Sequence, residues 1–157
     1  MKKSISDMIS VLLIILWVYA AVSKLADYDL FTDQLKRQPL PAWSPRLLSW
    51  ALPTTEIITA VLLCFERTCK YGMIASCIML ACFTIYTGLA LSGAYGSIPC
   101  SCGGIFSFMQ WKGHLIFNAT ATIAAFAGWK MSRKEMNITV IHKRKYYAHN
   151  GKEAENP

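Results

Sequence analysis

The stretch Met8 to Ser23, MISVLLIILWVYAAVS, carries no charged side chain. A helix on the surface of a water-soluble protein needs a polar stripe recurring every three or four residues. This stretch has no such stripe and is apolar all round, the pattern of a helix facing lipid. Three more segments read the same way. Leu47 to Phe65 holds only Glu56, Tyr71 to Trp111 holds no charge, and Gly113 to Trp129 holds only the titratable His114. Each is close to the ~20 helical residues that cross a bilayer core, and the third has room for a crossing plus a long loop.

Composition agrees with that reading. Of 157 residues, 54% are hydrophobic and 16% charged, against roughly 25% charged in ordinary globular domains. A soluble four-helix bundle is thereby disfavoured. The start, MKKSISD before an apolar run, also resembles a cleaved signal peptide, with AVS at Ala21 to Ser23 as a passable cleavage site. The run exceeds the ~7–15 residue core of such a signal, which favours a retained helix.

The expected architecture is all-α: a four-helix transmembrane bundle over residues 1–130, with helices at about 8–26, 47–66, 71–92 and 112–130 and an outer loop over 93–111. Residues 131–157 read as a basic cytoplasmic tail, partly disordered. Four crossings put both termini on one side, together with Lys2, Lys3, Arg67, Lys70 and the basic residues from Lys130 onward; Lys24, Lys36, Arg37, Arg46 and Lys112 fall on the other. The positive-inside rule then places both termini in the cytoplasm and the 93–111 loop outside. The net charge of +7 reads as topology and contact with anionic lipid, and no nucleic-acid partner is expected.

Individual residues stand out against this apolar background. Lys24 ends the first helix, where it can extend toward the outer interface. QPLPAWSPR follows, its Pro39, Pro41 and Pro45 blocking continuous helix and its Trp43, with Trp50 beyond, suited to a membrane interface. Glu56 lies well inside an apolar segment and must be protonated, paired or in a water pocket. If its helix instead begins at Pro53, Glu56 sits in the first turn, where a negative charge suits the dipole. Lys24 is its natural partner. In the last helix His114, Asn118 and Thr122 form a polar stripe that either holds helices together or lines a site, while Ala121 with Ala125 and Ala124 with Gly128 permit close packing.

The six cysteines are not equivalent. Cys64, Cys77 and Cys82 lie in apolar segments and read as small hydrophobes, and the cytoplasm would keep Cys69 reduced. Cys100 and Cys102, in IPCSCGG, lie on the oxidising side. A bridge across one residue closes a small strained ring, and strained disulfides are the readily reduced ones. Pro99 fixes the start of this loop, while Gly103 and Gly104 allow unusual backbone angles and close approach of another chain. The last helix's N-terminus and His114 would stabilise a thiolate. The open readings are a reactive dithiol, a structural pin of the loop, and a metal site with His114 as third ligand; zinc usually takes four ligands, and no further outer cysteine or histidine is evident.

Taken in order, YAAVSKLADYDLF, LPTTE, FTIYTGL, PCSCGG and WKGHLIFN resemble the MauE branch of the DoxX-like membrane proteins, over about residues 8–130. The resemblance implies a small four-helix protein of the bacterial inner membrane. It also implies a part in maturing the disulfide-rich light subunit of methylamine dehydrogenase, alongside a periplasmic thioredoxin-like partner. The motif positions carried over are Lys24, Glu56, Cys100, Cys102, Trp111, His114 and Asn118.

The expected function is thiol:disulfide exchange through Cys100 and Cys102 with that partner. If the protein oxidises it, electrons leave to a membrane carrier, and a quinone set against Trp111, His114 and Asn118 would let His114 manage the proton. That logic is similar to the DsbB and VKOR proteins, which have a second outer cysteine pair that this chain lacks. A non-enzymatic scaffold or chaperone docking a periplasmic client, and a small transporter lined by Lys24 and Glu56, are the rival readings.

Overall fold

The computed structural model describes residues 2–38, 40–93 and 112–132, with side chains from residue 4 onward. They form five helices: α1 (Lys2–Ala26), α2 (Tyr28–Lys36), α3 (Ser44–Cys64), α4 (Cys69–Leu91) and α5 over 112–132. No strand occurs among the described residues. Three stretches, Ser4–Ala26, Ser44–Cys64 and Cys69–Leu91, are long and apolar enough to cross a membrane, with 23, 21 and 23 residues. At 1.5 Å per residue each reaches about 32–35 Å, enough for a hydrocarbon core of roughly 30 Å. Gly93 is the last described residue before the cysteine-bearing loop. Pro39, Pro99, Cys100, Cys102, Gly103, Gly104, Trp111 and the 133–157 part of the tail lie outside the described residues.

The helices are built inside out relative to a water-soluble bundle. On α1 the buried face runs Ser6, Ser10, Leu13, Trp17, Ala21 and Lys24, while Met8, Val11, Leu12, Ile15, Val18 and Val22 are exposed. Burying apolar surface gains little when the alternative is a lipid tail, so close packing and interhelical hydrogen bonds must hold the helices together. Both are present. The Trp17 indole N–H donates to the Ser76 hydroxyl at 2.8 Å, the Thr59 hydroxyl to the Met79 sulfur at 3.5 Å, and the Thr84 and Thr122 hydroxyls meet at 3.5 Å. The core that these bonds surround comprises Leu13, Trp17, Ala60, Leu63, Met73, Leu80 and Ala125.

Close approach depends on missing side chains at two glycines. A Cβ on Gly72 would lie 2.8 Å from Leu63 Cγ and 2.9 Å from the Leu63 backbone nitrogen, so the α3–α4 turn closes only on glycine. A Cβ on Gly128 would meet Ile9 and Met73 at 3.1 Å. Gly128 and the fully buried Ala125 thus seat α5 against α1 and α4, which accounts for the small residues spaced along α5.

The structure differs from the sequence-based expectation at two places on this side of the loop. The segment between the first two long helices is not purely an irregular proline-rich stretch, since it contains α2. Asp27 caps that helix by accepting from the Leu30 amide at 3.2 Å, and Phe31 and Leu35 are its buried side chains. On its exposed face the Lys36 ammonium bonds Asp33 at 2.9 Å and holds that carboxyl below its ordinary pKa. The second difference is Pro53, which lies within α3 rather than at its start. The helix begins at Ser44, with Pro45 in its first turn, where a missing N–H costs nothing. Glu56 therefore occupies the helix body, and the first-turn account of its charge does not hold.

Candidate functional site

The first residue of the site is Lys24, in the last turn of α1. Its ammonium donates to the Ala20 carbonyl at 3.1 Å and to Glu56 Oε1 at 2.7 Å, and lies 5.9 Å from the centre of the Phe31 ring. Lys24 is 8% exposed and Glu56 1%. It does not reach outward to water as a snorkelling lysine would; it turns inward to the carboxylate. Taking both charges out of water costs several kcal/mol per ion, a cost offset only by tight geometry and further hydrogen bonds. The geometry here is tight. Yet the set is incomplete, because Glu56 Oε2 is buried with no hydrogen-bond partner among the described residues.

Glu56 and Lys24 both line a cavity of about 300 Å³, at the small end of the range for ligand sites. Every described helix contributes to its wall. Trp17, Ala20 and Lys24 come from the second half of α1, Phe31 and Leu35 from α2, and Leu48, Leu52 and Glu56 from α3. The second half of α4 supplies Leu80, Cys82, Phe83 and Tyr86, and the first turns of α5 supply His114, Phe117 and Asn118. The buried faces of α2 and the following segment, with Gln38 and Leu40, cover one side. The Tyr86 hydroxyl donates to Gln38 Oε1, tying that cover to α4.

Of the sequence-predicted residues, Lys24, Glu56, His114 and Asn118 thus converge on one cavity, although they come from three helices far apart in the chain. His114 is 4% exposed. Thr122, the third member of the polar stripe, instead bonds the Asn118 carbonyl at 2.7 Å and faces Thr84, so it joins helices and does not line the cavity. The stripe does both things the sequence left open. Among the other cysteines, Cys77 lies 4.0 Å from the Thr122 carbonyl and Cys64 is exposed on the helix surface, while Cys82 lines the cavity. Sequence reading missed Trp17, Phe31, Gln38, Cys82 and Tyr86 as wall residues. Only Gln38 had a visible signal, a polar side chain among prolines and leucines.

The cavity's position matters as much as its lining. It sits where α1 and α4 end and α3 and α5 begin, hence at the end of the bundle from which the chain leaves α4 and returns as α5. Chemically it places a lysine–glutamate ion pair in a wall otherwise made largely of aromatic and aliphatic side chains. Such a site suits a lipophilic molecule with a small polar head.

A family model described as methylamine utilisation protein MauE matches residues 2–131. No curated protein and no solved structure matches the chain.

Proposed function

The chain belongs to the MauE family, and from that membership we propose that this membrane protein exchanges electrons between its Cys100–Cys102 dithiol and a thioredoxin-like protein of the periplasm. The observation that carries the reading is the cavity at the loop-bearing end of the bundle. Its buried ion pair, His114 and Asn118 are costly groups to keep in a membrane interior, and such groups are retained for function. A bundle that only anchored a docking loop would need none of them.

In the proposed exchange a partner thiolate attacks the Cys100–Cys102 disulfide and forms a mixed disulfide, releasing one cysteine of the pair as thiolate. The partner's second thiolate then resolves the bond. Two electrons and two protons have passed to this chain, and the partner leaves oxidised, ready to introduce disulfides into secreted proteins. The family description associates such a protein with methylamine utilisation, and maturation of a disulfide-rich secreted subunit is the corresponding task. We assign the protein to the inner membrane, with four crossings, both termini cytoplasmic, and the loop periplasmic.

The test is alkylation of Cys100 and Cys102 in intact cells with a mass-shifting reagent, before and after reduction. Wild type should carry a largely oxidised pair, and Cys100→Ser or Cys102→Ser should trap a partner as a mixed disulfide. A pair that is always reduced and never trapped overturns the proposal. The buried Lys24–Glu56 pair on a cavity also favours a second reading, a small transporter. That reading requires Glu56→Gln to abolish function while a Cys100→Ser/Cys102→Ser double variant retains it.

A further inference from the structure

The Lys24–Glu56 pair leaves its hydrogen bonding unfinished in a specific way. A lysine ammonium carries three N–H bonds, and two have acceptors, Ala20 O and Glu56 Oε1. Glu56 Oε2 has none among the described residues, and a buried acceptor left unmade is costly, more so when it is charged. The pair therefore keeps one donor and one acceptor unused, on two residues that line the same cavity. A hydroxyl is the complementary group, since it donates to Oε2 while its oxygen accepts from the ammonium.

The wall decides what carries the hydroxyl. Trp17, Phe31, Phe83, Tyr86 and Phe117 bring aromatic surface to the cavity, which favours a flat ring over a flexible chain. A volume of about 300 Å³ holds a ring system of one or two fused rings. A polar ligand from water would find few partners here; a ligand dissolved in the bilayer would lose nothing by entering.

We propose that this cavity is a binding site for a lipid-soluble aromatic hydroxyl compound of the quinol class, its hydroxyl held between Lys24 and Glu56. The quinone expected against Trp111, His114 and Asn118 is thereby assigned to the Lys24–Glu56 pair, on the cavity that His114 and Asn118 also line. The choice of a quinol over other aromatic alcohols rests on the redox reading above. Oxidising the Cys100–Cys102 dithiol back to a disulfide releases two electrons and two protons, and a quinone takes up both as it becomes quinol.

The probe is a fluorescent heptyl-hydroxyquinoline N-oxide, titrated into the purified full-length protein in detergent and followed by quenching of its emission. Saturable binding at one site per chain is expected. Ala20→Phe, which fills the cavity and keeps both charges, and Glu56→Gln, which removes the carboxylate, should each weaken binding roughly tenfold or more, the worth of a charge-assisted hydrogen bond or a lost pocket. Menadiol should displace the probe and dodecanol should not. Non-saturable partitioning, affinity unchanged in both variants, or equal displacement by dodecanol overturns the proposal, the last by showing a site for any lipid alcohol. The same titration on Cys100→Ser/Cys102→Ser should match wild type. Binding that survives while partner trapping fails in cells leaves the cavity assignment standing and removes the redox reading; trapping without binding does the reverse.

Discussion

Lys24 is held by two acceptors where a lysine at a helix end would ordinarily reach for water, and this is a matter of reach and geometry. α1 packs more extensively on α3 than on α2 or α4, so a four-carbon side chain in the last turn of α1 meets the fourth turn of α3. The partnership was legible in the sequence, because the two helices are joined on one side and both residues were read into that side's half of the membrane. The unpartnered Oε2 was not, since it depends on which of two oxygens the ammonium takes. Removing one member of a buried pair leaves an uncompensated charge and costs about 3–5 kcal/mol, whereas replacing both by apolar groups is often neutral. Glu56→Leu alone should therefore lower stability by about 3 kcal/mol or more, and Lys24→Met/Glu56→Leu should recover most of that loss. Unfolding of the purified protein in detergent checks this: a double variant as unstable as the two single losses combined would show that the pair is not what couples the sites.

At the scale of elements, what escaped the sequence did so because two readings compete at short range. α2 is nine residues long, carries Asp29, Asp33 and Lys36 among its few positions, and buries only Phe31 and Leu35, too weak a period to stand out before a run of prolines. Its one clear signal was Asp27 three residues ahead of the Leu30 amide it caps. Pro53 misled in the opposite direction. A proline often opens a helix, but in an apolar setting it is tolerated inside one when neighbouring side chains satisfy the backbone. The carbonyl that Pro53 leaves without an amide is that of Ser49; around it the Thr54 and Thr55 hydroxyls bond the next two carbonyls, those of Trp50 and Ala51. The tightest element contact, by contrast, rests on a single absent atom. Gly72→Ala places a methyl within 2.9 Å of the Leu63 backbone nitrogen, which no rotamer change relieves. It should cost about 1–3 kcal/mol, the usual range for overpacking, and lower the thermal midpoint of the purified protein. An unchanged midpoint would mean that the α3–α4 turn opens readily. Gly93→Ala, where no neighbour stands within 4 Å, carries no such clash and meets only the strain of its positive φ.

For the molecule as a whole, the all-α architecture and three membrane-crossing helices were legible because charge-free runs of that length have few other uses. Whether α5 is a fourth crossing is the step on which the topology turns. Its composition is less apolar than that of α1, with Lys112, His114, Asn118 and several threonines, but the polar groups are not spread around it. His114 and Asn118 turn into the cavity and Thr122 toward α4, while Ile116, Ile123 and Phe126 stay exposed on the outside. A helix whose polar groups are satisfied within the bundle presents lipid with an apolar surface whatever its average hydropathy. α5 is thus suited to cross, and the proposed fourth crossing would put the start of α1 and the chain beyond α5 on the same side, with most of the lysines and arginines. Single cysteines in an otherwise cysteine-free protein test this with a membrane-impermeant maleimide. Cys102 should react in intact cells, whereas a cysteine at Glu66→Cys, exposed in the α3–α4 turn, and one at Lys152→Cys should react only after the cells are opened. Reaction of the Lys152→Cys protein in intact cells would mean that α5 does not cross. It would put the cysteine loop and the tail on one side and remove the basis for a periplasmic partner. Protection of Cys102 together with labelling of Glu66→Cys would invert the whole molecule instead.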